Sequence, residues 1–257
     1  MPEAVDCHYS INGSGPAVFL THGIGAAEDA WRFIVPELSK YFTVITYDLR
    51  GHGKSPVTNK NFTLEDLVLD LEKIRQKTKI DKAHFAGHSL GGMISPSYAK
   101  KFPKHVISVG LLSTVAGRSE QDKKNVLNVI EEMEENGIEN TLQKLTTRWF
   151  TDTFIKKNPD LVEKRLKQVV DTDPEVFLNV FKIYANTEMI SWLKNINKPC
   201  LLMTGEHDSG CSPEHNKKMA NEIKNSELVI LPKYKHSFLI EAPDEVANNL
   251  INFTKKF

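Results

Sequence analysis

Disulfide-forming capacity, excess charge and long apolar runs are all missing from this chain. Its three cysteines, Cys7, Cys200 and Cys211, are odd in number and lack metal-site spacing. That excludes a disulfide framework, implies no bound metal, and points to a reducing compartment. Lys and Arg total 33 against 33 Asp and Glu, a formal net charge of +0. There is thus no electrostatic footprint for nucleic acid or an anionic membrane. Lys156, Lys157, Lys164 and Lys167 alternate with apolar positions and read as a solvated helix face. No apolar stretch approaches the ~18 residues of a membrane span, and no basic segment precedes an apolar run at the N-terminus. Internal repeats and low-complexity tracts are also absent. The expectation is a cytoplasmic protein, monomeric or a small homo-oligomer, whose partner is a small molecule rather than nucleic acid or membrane. At 257 residues it suits one large α/β domain, or one domain with an insertion, and can bury a substantial core.

What is present begins with Gly87-His88-Ser89-Leu90-Gly91, of the form G-x-S-x-G. A strand over Ala83–Ala86 precedes it, and a helix from Leu90 toward Lys101 follows. A serine on so sharp a strand-to-helix turn holds a strained backbone that makes its hydroxyl protrude. Side chains two residues to either side would collide, so both positions call for glycine. The apolar runs Ala17–Thr21, Val44–Tyr47, Val106–Leu112, Cys200–Met203 and Leu228–Leu231 read as further strands. Glu3–Ser10 reads as an early edge strand, and Ala30–Tyr41 as a helix. Thr63 starts another helix with an acid at Asp66, and Leu64, Leu67, Val68, Leu71 and Ile74 line one face of it. A last helix starts at Pro243, with Asp244 and Glu245 in its first turn.

Three residues suited to nucleophilic catalysis follow strands in the order Ser89, Asp208, His236. In open parallel sheets that edge is where sites form. A serine hydroxyl needs a neutral imidazole to take its proton, and the imidazole needs a partner that fixes its tautomer. Of nine histidines, only His236 lies between the last strand and the last helix. Asp208 is the favoured acid; Asp48 also follows a strand, and Glu206 would serve if the turn shifted by two residues. Backbone N–H groups of Leu90, in the elbow, and of Ile24, in the turn after His22-Gly23, are the candidate oxyanion donors. His22 itself reads as structural.

Between about Gly117 and Lys194 the alternation of strands and helices stops. The segment reads as helices only, over 121–135, 140–149, 160–170 and 174–184. Inserted between two strands, such a block forms a cap, so the expected division is a core of 1–116 and 195–257 with a cap of 117–194. Trp149, Phe150 and Phe181 are candidate pocket residues. Arg148, about 100° away from Trp149 on a helix, is expected outside the pocket.

Taken together, His22-Gly23, the loop Asp48–Ser55, the elbow around Ser89, Gly205–Asp208 and His236 resemble the α/β-hydrolase superfamily over nearly the whole chain. That resemblance implies an α/β-hydrolase fold, a mostly parallel sheet flanked by helices with an inserted helical cap. Arg148-Trp149-Phe150-Thr151, Gly205–Asp208 and Ser212–His215 are similar to 3-oxoadipate enol-lactonases, in the serine esterase and lactonase branch. The implied chemistry is hydrolysis of a carboxylic ester or lactone through an acyl-enzyme, with no organic cofactor or metal. A serine nucleophile argues against dehalogenase and epoxide-hydrolase chemistry. Alternatives on the same residues are a C–C bond hydrolase, a cofactor-free haloperoxidase or perhydrolase, and a non-enzymatic small-molecule receptor.

Overall fold

The computed structural model describes residues 3–257. Among the described residues seven strands form one sheet: β1 (Tyr9–Asn12), β2 (Ala17–Thr21), β3 (Thr43–Tyr47), β4 (Ala83–His88), β5 (Val106–Leu112), β6 (Cys200–Gly205) and β7 (Ser226–Leu231). Their order across the sheet is β1-β3-β2-β4-β5-β6-β7. Only β1 runs antiparallel, against β3. The rest are parallel, with Thr21 opposite both Tyr47 and Gly87. Every residue of β2 is buried, as a strand covered on both faces requires.

The order contains one reversal that matters. From β2 the chain moves outward to β3, then returns to β4 on the other side of β2. The loops leaving β2 and β4 therefore diverge, and a crevice opens between their C-terminal ends. His22–Gly25 follows β2 and Ser89 follows β4.

Helices cover both faces. Leu67, Leu71, Met93 and Tyr98, from helices Leu64–Lys77 and Gly91–Lys101, pack with Phe19 and Phe85 of the sheet. Trp31, Ile34, Phe238, Val246 and Leu250 cover the other face over Val18, Leu20 and Val44. Thr63 and Asp66 form a reciprocal capping box: Thr63 N–H donates to Asp66 Oδ2 at 2.8 Å, and Asp66 N–H to Thr63 Oγ1 at 3.4 Å. The final helix, Pro243–Thr254, starts at the proline.

Two sequence expectations are corrected. Residues 3–8 are not strand; pairing is confined to Tyr9–Asn12. Backbone donors upstream are taken by side chains instead, Val5 N–H by Asp70 Oδ1 and His8 N–H by Ser55 Oγ. Nor is 30–41 one helix. It is a 3₁₀ turn, Glu28–Trp31, and a single turn, Val35–Leu38, with Pro36 in its first turn. Trp31, Ile34 and Leu38 are buried at helix-like spacing, but Pro36 lacks the N–H that would bond back into the preceding turn.

Between β5 and β6 lie the helices Glu120–Asn136, Ile138–Trp149, Asp152–Lys157, Pro159–Val170, Pro174–Asn186 and Ile190–Leu193, with no strand. Met133, Leu142, Leu145, Val169 and Phe177 form a small core of their own, on which Ile24 also packs. Among the described residues, no helix is long and apolar enough to cross a membrane.

Candidate active site

Ser89 occupies the turn between β4 and the helix Gly91–Lys101 with φ +57°, in the left-handed region. For a non-glycine residue this costs of order 1–3 kcal/mol, so the surroundings must hold it. They do: Ser89 N–H donates to Leu112 O of β5 at 2.8 Å, and Gly92 N–H to Ser89 O at 2.9 Å. A Cβ on Gly87 would collide with the Gly91 carbonyl, and one on Gly91 with the Thr21 carbonyl. Both glycines are therefore required by backbone crowding. The Ser89 hydroxyl makes no hydrogen bond to the described residues and faces a cleft. Side-chain pairing of a serine with its base commonly tightens only when substrate binds.

His236 lines the same cleft. Its Nδ1–H donates to Asp208 Oδ2 at 2.7 Å, so in the neutral imidazole the acceptor is Nε2. Asp208 is 2% exposed and fully engaged. Oδ2 also accepts from Ser113 Oγ at 2.7 Å, while Oδ1 accepts from the N–H groups of Gly210 and Cys211 at 3.0 and 2.9 Å. Burial opposes its charge, but His236 and these donors outweigh that and hold the carboxyl below its usual range. Burial likewise opposes charge on His236, and the Asp208 carboxylate outweighs it, so His236 is raised above an ordinary imidazole. Asp208, Cys211 and His236 also bring possible ligand atoms within 4.8 Å of one another. With four donors already on the carboxylate, the group is suited to orienting an imidazole.

The rival acids have other tasks. Asp48 accepts from Glu28 N–H and Lys54 N–H and braces its own loop. Glu206 accepts from Lys233 N–H. His22 and His52 are buried and neutral, burial pushing them to about 4 and about 3. His22 Nδ1–H donates to Gly23 O and its Nε2 accepts from Leu49 N–H. His52 Nε2 accepts from Gly25 N–H. Both imidazoles thus brace the turn after β2. The N–H groups of Ile24 and Leu90 find no acceptor among the described residues. Ile24 borders the cleft, and Leu90 is fully buried beside Ser89.

The cleft has a volume of about 180 Å³. Trp149, Phe177, Phe181 and Tyr184, from the helices between β5 and β6, line it together with Gly23, Ser89 and His236. Phe150, expected in the pocket, does not border it. It is fully buried and stacks on Phe154 with ring centroids 5.5 Å apart. Phe150 ends its helix and turns into extended backbone, which carries its side chain away from the cleft. Arg148, expected outside, borders the cleft together with Trp149. The helix stops one residue later, and Arg148 Nε reaches Ser209 Oγ at 3.4 Å.

Several residues of the site carry no local sequence signal. Ser113 lies 95 residues from the Asp208 it supports. His88 Nε2–H donates to the His236 carbonyl at 2.9 Å, and burial beside His236 keeps it neutral. Arg165 reaches the turn after β2 from the helix Pro159–Val170. Of these, only His88 stood inside a recognisable motif.

Fold and site together define a chain built like a hydrolase. The α/β hydrolase fold family matches residues 16–243, and the chain belongs to that family. It is 28% identical over 247 residues to 3-oxoadipate enol-lactonase 1 of Acinetobacter baylyi, covering 95% of this chain and 91% of that one. It is 25% identical to (E)-2-((N-methylformamido)methylene)succinate hydrolase of the same organism, covering 93% and 90%. Among solved structures, the enol-lactonase of Burkholderia xenovorans superposes with a TM-score of 0.90 at 26% identity, covering 98% of each chain. A malate-bound esterase of Thermogutta terrifontis gives 0.89 at 25% identity, covering 98% of this chain and 94% of that one.

Proposed function

We propose that this protein is a serine hydrolase of carboxylic esters or lactones that works through an acyl-enzyme. The observation that carries this reading is a strained, open Ser89 sharing one cleft with a His236 oriented by buried Asp208. In this reading Ser89 Oγ attacks the carbonyl carbon while His236 Nε2 takes its proton. The oxyanion is held by the N–H groups of Leu90 and Ile24. The tetrahedral intermediate collapses, and His236 returns the proton to the departing alkoxide. Water, deprotonated by His236, then attacks the acyl-serine and frees the acid. No step needs a metal or organic cofactor. Asp208 keeps Nδ1–H in place and offsets the imidazolium charge that forms twice per cycle.

The helical segment 117–194 serves as the cap that closes the cleft and selects the substrate; its aromatic wall opposite Ser89 supports this. Acidic substrates fit the charges. Arg32, Arg118, Arg148, Lys164 and Arg165 border the cleft against only Asp122 and Asp208. The names of the two Acinetobacter relatives contain an adipate and a succinate unit, both dicarboxylic skeletons.

A fluorophosphonate probe tests the mechanism directly. It should label Ser89 alone, and Ser89→Ala should lower turnover of p-nitrophenyl acetate by roughly 10⁴- to 10⁶-fold. Labelling elsewhere, or near-normal turnover in the alanine variant, would falsify it. Turnover of a diketone in preference to esters and lactones would instead identify a C–C hydrolase. Ligand binding with no turnover of any of them would identify a receptor.

A further inference from the structure

Arg165 is a cation without a carboxylate. It sits on the helix Pro159–Val170 of the insertion and borders the cleft. No acid among the described residues lies within ion-pair distance of its guanidinium. The nearby Asp29 is occupied by Arg32 at 3.7 Å, Lys164 at 3.0 Å and the Gln168 amide. The fork is instead given to two backbone carbonyls of the core, 140 and 141 residues away: Nη1 donates to Gly25 O at 2.6 Å and Nη2 to Ile24 O at 2.8 Å. Its face lies 5.3 Å from the centre of the Trp149 ring. Burial pulls its pKa down to about 10, so it remains charged at neutral pH.

The backbone of this turn can be accounted for group by group. Both carbonyls, of Ile24 and Gly25, are taken by Arg165. The Gly25 N–H is taken by His52 Nε2. The Gly23 carbonyl accepts from His22 Nδ1. The Ile24 N–H alone of the Ile24 and Gly25 groups has no acceptor, and it is the group the proposed chemistry aims at the oxyanion. A planar guanidinium bonded to two successive carbonyls fixes both peptide planes at once, which a lysine ammonium does poorly. An unpaired positive charge beside the same turn also favours negative charge developing in the cleft.

We propose that Arg165 is a positioning residue for the oxyanion hole, its fork holding the Ile24–Gly25 turn so that the Ile24 N–H meets the transition state. The inference rests on the serine-hydrolase reading above. It also implies that the oxyanion hole is completed only with the insertion seated on the core, because the clamp is carried by the insertion.

The test compares wild type, Arg165→Gln and Arg165→Lys on a neutral ester, a carboxylate-bearing lactone and a trifluoromethyl ketone. The ketone forms a hemiketal oxyanion on the nucleophile and so reports the hole itself. Arg165→Gln should lower kcat by about 10- to 100-fold on both substrates, with KM changed less than about threefold, since the loss of one oxyanion donor acts on the transition state. Ketone affinity should fall by a similar factor. Arg165→Lys should recover only part of each loss. Thermal unfolding within a few degrees of wild type, read in parallel, separates the effect from misfolding. Guanidinium ion added to Arg165→Ala should restore part of kcat in a soluble, folded variant. The proposal is overturned if ketone affinity is unchanged, if KM rises with kcat intact, or if only the carboxylate-bearing lactone is affected. That last result would make Arg165 a substrate anchor. A wild-type enzyme without turnover or ketone inhibition would sink the serine-hydrolase reading and this inference together.

Discussion

Ser113 Oγ and His236 Nδ1 donate to the same carboxylate oxygen, Asp208 Oδ2, each at 2.7 Å. Ser113 directly follows β5 with φ +42°, and its N–H is tied to Met203 O of β6, so its hydroxyl is held at the edge of the sheet. The aim of Asp208 is therefore set by strand pairing as well as by its own loop. Ser113→Ala should lower kcat/KM by roughly 3- to 10-fold, the scale of one charge-assisted hydrogen bond acting through a second residue. Asp208→Asn should cost about 10⁴-fold in kcat, because the amide favours the wrong imidazole tautomer. Steady-state kinetics on one ester decide the ranking. If Glu206→Gln is the more damaging change, the acid has been misassigned.

The pH dependence has two opposing parts. His236 is raised by Asp208, so kcat/KM should increase with pH through an apparent pKa above the ordinary imidazole value of about 6.5. A flat profile from pH 5 to 9 would count against His236 as the base. Stability carries the other sign. His22 and His84 are pushed down to about 4 and His52 and His88 to about 3, chiefly by burial. Below about 6.5 the unfolded chain binds protons that these folded imidazoles refuse. Each then costs about 1.4 kcal/mol per pH unit until its folded pKa is reached. His236 works the other way: its contribution is complete below about 6.5 and is lost as pH rises through its raised value. Asp208 contributes above about 3.8 and loses this as pH falls through about 2. Between pH 6.5 and 4.5 the four depressed histidines all cost stability while the contribution of His236 stays constant, so the melting temperature should fall on acidification over that range. A melting temperature that climbs over that range would contradict the neutral assignment.

Much of the fold was legible in the sequence, for identifiable reasons. The elbow was readable because backbone crowding leaves Gly87 and Gly91 no substitutes, and the start of helix 64–77 because Thr63 and Asp66 satisfy each other's N–H groups. The strands were readable because parallel strands buried on both faces are continuous apolar runs. What failed depends on partners remote in sequence. The extended-looking 3–8 segment gives backbone donors to Asp70 and Ser55, and nothing local distinguishes that from strand pairing. Phe150 and Arg148 exchanged their expected places although the helix ends at Trp149 as expected: the extended backbone at Phe150 turns its ring away, and Arg148 reaches Ser209, a residue 61 positions on, so helical spacing alone carried no signal for either. Ser113 and Arg165 had no local signal, because each acts on a turn 95 or more residues away.

Arg118 sets an expectation for acidic substrates. It is 8% exposed, its Nη1 donates to Tyr184 O and Thr187 O, and its Nη2 is buried with no acceptor among the described residues. A buried charged donor left unpaired costs about 1–3 kcal/mol or more, which a ligand carboxylate beside it would offset. On a matched pair of substrates, one neutral ester and one carboxylate-bearing lactone, Arg118→Gln should lower kcat/KM for the lactone by about 10- to 100-fold and for the ester by less than about threefold. Arg118→Lys should retain an intermediate preference for the acid, since the charge survives without the fork. Equal losses on both substrates would show that Arg118 only braces the 184–187 segment.

Trp149 ties the aromatic wall to the chemistry. Its carbonyl accepts from the N–H of Ser237, the residue after His236, at 2.9 Å, and its ring lies under Arg165 and beside the cleft. The backbone bond persists in any side-chain variant, so Trp149→Ala opens the wall without releasing that link to Ser237. The indole is half-buried rather than sealed among the helices between β5 and β6, and its removal enlarges the cleft more than it costs stability. Preference should therefore move toward longer acyl chains. For esters from two to eight carbons, kcat/KM of Trp149→Ala should fall for the shortest and hold or rise for the longest, shifting their ratio by about 10-fold, the worth of one to two methylene contacts. Fluorophosphonate labelling of Ser89 should stay within about threefold of wild type, because the proposed nucleophile and base are untouched. If every ester falls by the same factor, Trp149 packs the helices between β5 and β6 and does not choose the substrate.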